Sequence, residues 1–306
     1  MTIVIRKAER KVSKARVALA GPSGSGKTLS ALLLAYGMTG DWEKIGLIDT
    51  ENKSADVYAE TIKAGVPVGS FIKVDLEAPY TTEKYIEAIK ALEDYGVEAI
   101  ITDSMSHAWA GEGGLLEQVD AAAGSGNKFT AWGKITPKHN RLIETILRSK
   151  CHIISTLRSK TEYVLVENDR GKKEPQKVGM APIQRDGLEY EYTIMFDMNI
   201  DKFATANKDR TGLFEGQSVR ITPEHGEQLL AWLQNGVELI KSHTVIAINT
   251  KWIELGYKQE HIDVQTKKTY GELLGNLTEP QGQDFLVKLF EMAKPKQQQS
   301  QTAEGA

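Results

Sequence analysis

From residue 15 to about residue 214 the chain alternates short apolar runs with amphipathic stretches. The apolar runs over 16–20, 45–49, 71–74, 99–103, 152–157 and 192–200 predict strands. The stretches over 27–36, 56–64, 81–95 and a long one near 136–148 predict helices between them. This order predicts an α/β fold, a mainly parallel sheet flanked by helices. Several strands end in a polar residue, and sheets of this kind gather ligands at the carboxyl ends of their strands. Two stretches interrupt the alternation. Residues 110–128 are rich in Gly, Ala and Ser. Residues 158–186 run through Tyr163-Val164-Leu165-Val166 and Asn168-Asp169-Arg170-Gly171 to a second polar-apolar segment, which predicts a β-hairpin with a charged tip. Connections this long inside a compact domain are functional or disordered. After about Gly216 the texture changes to helix-like segments at 223–240, 243–255, 259–269 and 281–293, separated by Gly or Pro. The expected division is a core over 1–216, a small helical appendage over 217–293, and a Gln/Ser-rich, disordered tail over 294–306.

The composition narrows this picture. A chain of 306 residues holds one large domain, or one plus a small appendage. The formal net charge of -3 argues against a protein that coats nucleic acid over its whole surface, and leaves room for a local basic patch. Cys151 is the single cysteine, which rules out an intramolecular disulfide and suits a reducing cytoplasm, the expected location. The first residues, MTIVIRKAERKVSK, carry no secretory pattern, and no stretch has the length of a membrane span, so no membrane partner is expected.

Gly21-Pro22-Ser23-Gly24-Ser25-Gly26-Lys27-Thr28 matches G-x-x-x-x-G-K-[ST] in full, between an apolar strand and a helix. The glycines let backbone N–H groups turn inward around phosphate oxygens, and the helix that follows offers its positive end. Lys27 neutralises the outer phosphates, and the Thr28 hydroxyl is placed for Mg²⁺. The ligand expected is a nucleoside triphosphate with magnesium, ATP first. Ala99 to Asp103 is an apolar strand ending in a carboxylate, the place of the acid that holds the magnesium shell. Hydrolysis also needs a group to orient or deprotonate water. Glu51, in Ile48-Asp49-Thr50-Glu51 after the second strand, is the candidate, although a Glu there also reads as a solvated loop residue.

With this order of motifs the chain resembles the RecA-like ATPases. The resemblance implies that Glu51 is the catalytic glutamate. It also implies that Tyr58, seven residues on, stacks on adenine, which competes with a packing role on a helix face. The end of the strand at 152–157 resembles the strand whose side chain senses the γ-phosphate, with Thr156 in place of the longer amide of RecA. Asn207-Lys208-Asp209-Arg210-Thr211-Gly212 looks like the K-x-R element of RadA-type and DnaB-type proteins. There Lys208 and Arg210 would reach a neighbouring subunit's ATP site, which implies a filament or ring with ATP at the subunit interface; the other reading is a charged hairpin tip. The group most similar is the phage Sak type of single-strand annealing ATPases. The similarity covers about residues 12–215, and rests on the phosphate loop, the IDTE and TDS segments, the LRSKTEY stretch with its NDRGKK hairpin, and the NKDRTG element. It implies ATP hydrolysis, binding of single-stranded DNA, strand annealing or exchange in the host cytoplasm, and contact with a phage single-strand binding protein.

In RecA-like recombinases two loops touch single-stranded DNA, and the matching stretches here are about 108–128 and 158–185. The second offers Arg158, Lys160, Arg170, Lys172 and Lys173 as DNA contacts, but Glu162, Glu167, Asp169, Glu174 and Asp186 leave it only weakly positive. Trp109, Phe129 and Trp132 are placed either to stack on bases or to pack a core. Phe203-Ala204-Thr205-Ala206 fits a subunit-docking F-x-x-A pattern and also a plain strand. His107 and His139 lack zinc-ligand spacing, and Cys151 reads as core. Two other functions fit the same core: an ATP-dependent assembly or loading factor for a phage replication protein, and a ring-forming helicase-like motor.

Overall fold

The computed structural model describes residues 10–124, 126–167 and 173–293. They group into two compact units, Lys14–Trp232 and the residues outside that range.

In the larger unit the strands are β1 (Arg16–Gly21), β2 (Ile45–Asp49), β3 (Thr61–Lys63), β4 (Val66–Val68), β5 (Ile72–Asp75), β6 (Ala99–Asp103), β7 (His152–Glu167), β8 (Lys173–Pro182), β9 (Ile194–Met198), β10 (Ala204–Asp209) and β11 (Ser218–Val219). The main sheet runs β11-β10-β9-β1-β7-β6-β2-β5, and its centre is parallel from β9 to β5. Strands β1, β2 and β6 are buried along their whole length, which is why they read as continuous apolar runs rather than as alternations. Helices α1 (Lys27–Thr39), α2 (Thr82–Tyr95), α3 (Ser106–Ala110), α4 (Leu115–Ala123) and α5 (Lys128–Arg148) connect the strands, and α6 (Pro223–Gln234) follows β11. Tyr85, Ile86, Ile89 and Leu92 of α2 and Leu142, Ile143 and Ile146 of α5 join Ile48, Ile100 and Ile153 of the sheet in one apolar core.

Three local expectations are revised. Residues 56–64 are not a helix: a short 3-10 turn over Ser54–Tyr58 leads into the antiparallel pair β3–β4. Thr61, Ile62, Val66 and Val68 favour strand, and Glu60, Ala64 and Gly65 take left-handed φ, which ends a right-handed helix. The long helix begins at Lys128 instead of 136, with the Asn127 side chain accepting from Phe129 N at 2.8 Å. Pro137 mimics a helix start, but the apolar stripe is continuous from Ala131 and Ile135 to Ile146. The Gly/Ala/Ser-rich stretch at 110–128 holds α4 and the start of α5.

The expected hairpin is present as β7 paired with β8, with a register shift, a β-bulge, between Glu162 and Tyr163. Its tip lies outside the described residues. Helices α1 and α6 touch glycine to glycine. A Cβ on Gly37 would stand 1.8 Å from Pro223 O, and one on Gly226 would stand 2.3 Å from Leu34 O.

The smaller unit contains α7 (Ser242–Glu254), α8 (Ile262–Tyr270) and α9 (Glu279–Met292) around Ile248, Trp252, Ile262, Phe285 and Leu289. Thr278 and Gln281 form a capping box at the start of α9. Residues 217–232, expected with the appendage, group with the sheet. Among the described residues no helix is long and apolar enough to cross a membrane.

Candidate functional site

β1 delivers Gly21 to the carboxyl edge of the sheet, and the chain then turns through the glycine-rich loop into α1. Gly24 and Gly26 have φ of 80° and 85°, a conformation that other residues adopt only at a cost. Gly21 has no room for a side chain: a Cβ would lie 2.7 Å from Met198 O. The Lys27 ammonium donates to Gly21 O at 3.0 Å and Pro22 O at 2.8 Å, which holds it over the loop. Burial lowers the pKa of Lys27, opposed by the negative charges of Asp103 and Glu51.

β7 lies between β1 and β6, with Leu19 opposite Thr156 and Thr102 opposite Ser155. That register brings three chain-distant groups together. Thr28 Oγ1 donates to Asp103 Oδ2 at 2.7 Å, and Thr156 Oγ1 donates to Asp103 Oδ1. Asp103 is buried, and burial raises its pKa against the two hydroxyl bonds. A hydroxyl and a carboxylate beside a phosphate loop are hard oxygen donors and fit Mg²⁺. Among the described residues no cluster of three His, Cys, Asp or Glu could hold a metal, so the ion would complete its shell from phosphate and water.

Glu51 follows β2 on the same edge. Arg158, one residue beyond the apolar part of β7, grips it with two bonds, Nε to Oε1 at 2.8 Å and a terminal guanidinium nitrogen to Oε2. Burial pushes the Glu51 pKa up, but the Arg158 bonds and charge outweigh it and the net direction is down. The partner effect raises Arg158. Behind Glu51, Thr50 Oγ1 lies 2.7 Å from His107 Nδ1, whose pKa is lowered by burial and by the charge of Arg158.

Lys27, Thr28, Glu51, Asp103 and Arg158 line one open cleft of about 840 Å³, shared with Ser23, Gly24, Gly26, Tyr58, Lys63 and Lys202. Tyr58 therefore stands at the cleft and not on a packed helix face; the Lys63 ammonium lies 5.9 Å from its ring centroid. Thr156 is fully buried against Asp103. Arg158, expected to contact DNA, lines this cleft. Lys63 and Lys202 were not singled out in the sequence, because a lone lysine in a polar turn carries no pattern.

Lys208 and Arg210 are elsewhere. Asp209 pairs with Ile194, which pairs with Val17, so both cations sit at the amino end of β1, the opposite edge from Gly21. Three to four residues of strand, roughly 10–14 Å, separate the two levels. Lys208 Nζ donates to Glu189 O and Arg210 donates to Tyr190 O at 2.7 Å. Neither can reach the phosphate loop of its own chain.

Of the other expected DNA contacts, Lys160 is exposed on β7 and Lys173 opens β8, while Arg170 and Lys172 lie outside the described residues. A second cleft, of about 570 Å³, is lined by Trp109, Phe129, Trp132 and Arg185. Trp109 and Trp132 stack with centroids 5.5 Å apart on a small core of Leu115, Val119, Ala131 and Ile135. Phe129 stands 84% exposed, and the Arg185 guanidinium lies 5.9 Å from the Trp132 ring. In the F-x-x-A segment Phe203 ends the turn before β10, and Ala204 to Ala206 lie in the strand with Ala204 fully buried. Cys151 is buried, its thiol bonded to Val97 O at 3.1 Å and pushed up in pKa by burial.

A phosphate loop, a hydroxyl–carboxylate pair beside it and an acid across the cleft, all on the carboxyl edge of a parallel sheet, define a phosphate-loop nucleotide-binding ATPase domain. The chain belongs to the AAA domain family, whose model matches residues 13–231. Comparison with curated proteins gives no match.

Proposed function

We propose that this ATPase domain is a RecA-like enzyme of the phage Sak type, which hydrolyses ATP with magnesium, binds single-stranded DNA and promotes strand annealing or exchange as a homo-oligomer. The observation that carries the reading is Arg158: it lines the cleft and holds Glu51 there, and it is also the root of the hairpin β7–β8. A contact along the hairpin therefore has a short route to Glu51, through the backbone to Arg158 and then across its ion pair.

In this mechanism the backbone N–H groups of the loop and the Lys27 ammonium bind the phosphates. Thr28 and Asp103 would hold magnesium, which would neutralise charge on the phosphate oxygens. Glu51, kept ionised by Arg158, accepts the proton of the attacking water. Tyr58 borders the base and Thr156 sets the Asp103 carboxylate. Lys208 and Arg210 serve the cleft of the next subunit, since their own is out of reach. Lys160 and the aromatic cleft with Arg185 are the described groups suited to a single strand, by charge and stacking.

The test is ATP turnover with and without single-stranded oligonucleotide. Stimulation of several-fold, with a gel shift, is expected. Turnover that ignores DNA, with no shift, rejects the recombination role and leaves the ATPase.

A loading or assembly role is the second reading. It is favoured by exposed apolar side chains in the smaller unit, Ile246, Ile253, Val287 and Phe290, which suit a protein partner. Nucleotide-dependent capture of a phage replication protein without strand annealing distinguishes it.

A further inference from the structure

β9 runs parallel to β1, with Ala20 opposite Asp197, so the turn that follows β9 emerges beside the glycine loop. Asn199 N donates to Phe203 O at 3.0 Å, Phe203 N donates to the Asn199 side chain at 3.0 Å, and Lys202 N donates to Asn199 O at 3.1 Å. This closed turn lays two side chains on the loop. A Cβ on Gly24 would stand 3.6 Å from Ile200 Cδ1, and one on Gly26 would stand 3.4 Å from Lys202 Cγ and 3.7 Å from its Cβ and Cδ. Lys202 has φ of 67°, a backbone conformation that favours glycine. A lysine in that place runs against local backbone preference.

The cations of the cleft are Lys27, Lys63, Arg158 and Lys202. Lys27 is engaged by loop carbonyls, Arg158 by Glu51, and Lys63 lies beside the Tyr58 ring. Lys202 is exposed, and among the described residues its ammonium has no ion-pair partner. A flexible cation beside a loop built for phosphate complements a polyanion.

We propose that Lys202 is a second phosphate-binding lysine, supplied by the β9–β10 turn and clamping the nucleotide's phosphate chain from the side of Gly26. The inference rests on the nucleotide-binding reading of the cleft. It assigns a function to a residue outside the motif.

The experiment compares wild type, Lys202→Gly, Lys202→Arg and Lys27→Ala, reading the affinity of a fluorescent ATP analogue and thermal melting without nucleotide. Glycine suits the left-handed φ, so Lys202→Gly is expected to melt at or above the wild-type temperature. It is expected to bind the analogue about tenfold more weakly, the loss of one charge-assisted contact. Lys202→Arg keeps most of the affinity, and the deficit of Lys202→Gly shrinks in high salt as the charge contribution is screened. Wild-type affinity in Lys202→Gly overturns the proposal and leaves the cleft's nucleotide role intact. Equal weakening in Lys202→Arg and Lys202→Gly also overturns it, since the charge would then be irrelevant. Wild-type binding that survives Lys27→Ala removes the underlying reading, and the proposal with it.

Discussion

At the scale of single residues, the two acids of the cleft are handled in opposite ways. Asp103 is buried among hydroxyls and pushed up in pKa, while Glu51 is drawn down by Arg158. Glu51→Gln is therefore expected to keep ATP affinity within a few-fold and to lose turnover by about 10²-fold or more, as single-turnover assays would measure. Arg158→Ala removes the group that lowers the Glu51 pKa. Glu51 then becomes protonated at a higher pH, so the acid limb of the pH–rate profile moves upward; an unmoved limb would show that Arg158 does not tune Glu51. Arg158→Lys restores the charge but not the paired bonds, and recovers only part of the effect. Lys27, Thr28 and Asp103 were legible because loop and strand-end motifs are contiguous in sequence. The Glu51–Arg158 pair was not, because its members stand 107 residues apart and only the strand order brings them together. For the same reason Arg158 reads from sequence as one more hairpin cation.

At the scale of elements, buried strands announce themselves as apolar runs, and β1, β2 and β6 fall where those runs predict. The segment after Glu51 misleads, because Asp56 to Ala64 has helical polarity while its turn conformations are set by residues with left-handed φ. Helix contacts are also invisible to periodicity. The Gly37–Gly226 crossing of α1 and α6 admits no methyl group, so Gly37→Ala is expected to destabilise the larger unit by about 3 kcal/mol, measured by denaturant unfolding. The start of β7 adds a pH dependence. His152 is buried with Nδ1 accepting from Ala15 N at 3.0 Å, and burial lowers its pKa from 6.5 to about 3. The unfolded chain takes up this proton first. Stability from this residue is complete above pH 6.5 and is lost at up to about 1.4 kcal/mol per pH unit as the pH falls toward 3. Unfolding midpoints across that range should slope for the wild type and flatten for His152→Gln.

At the scale of the whole molecule, the cleft lies at one edge of the sheet and Lys208 and Arg210 at the other. If Lys208 and Arg210 act across an interface, Arg210→Ala and Glu51→Ala are each inactive, and mixing them restores part of the ATP turnover. No recovery in the mixture assigns the two cations to local structure, where they already hold the carbonyls of Glu189 and Tyr190. An interface cannot be read from one chain's sequence except by resemblance, so the proposed trans role of these two cations rests on resemblance alone. The β-bulge between Glu162 and Tyr163 bears on how such a chain can diversify. Inside the bulge, β7 carries Thr156 and Arg158 in a register set by β1 and β6, and a one-residue slip would exchange the faces they present. Outside it, the arms pair only with each other. Insertions, deletions or grafted sequence in the outer hairpin should therefore leave basal ATP turnover in place while changing what the hairpin contacts, making it the natural place for partner preference to drift and for an engineer to splice a new one.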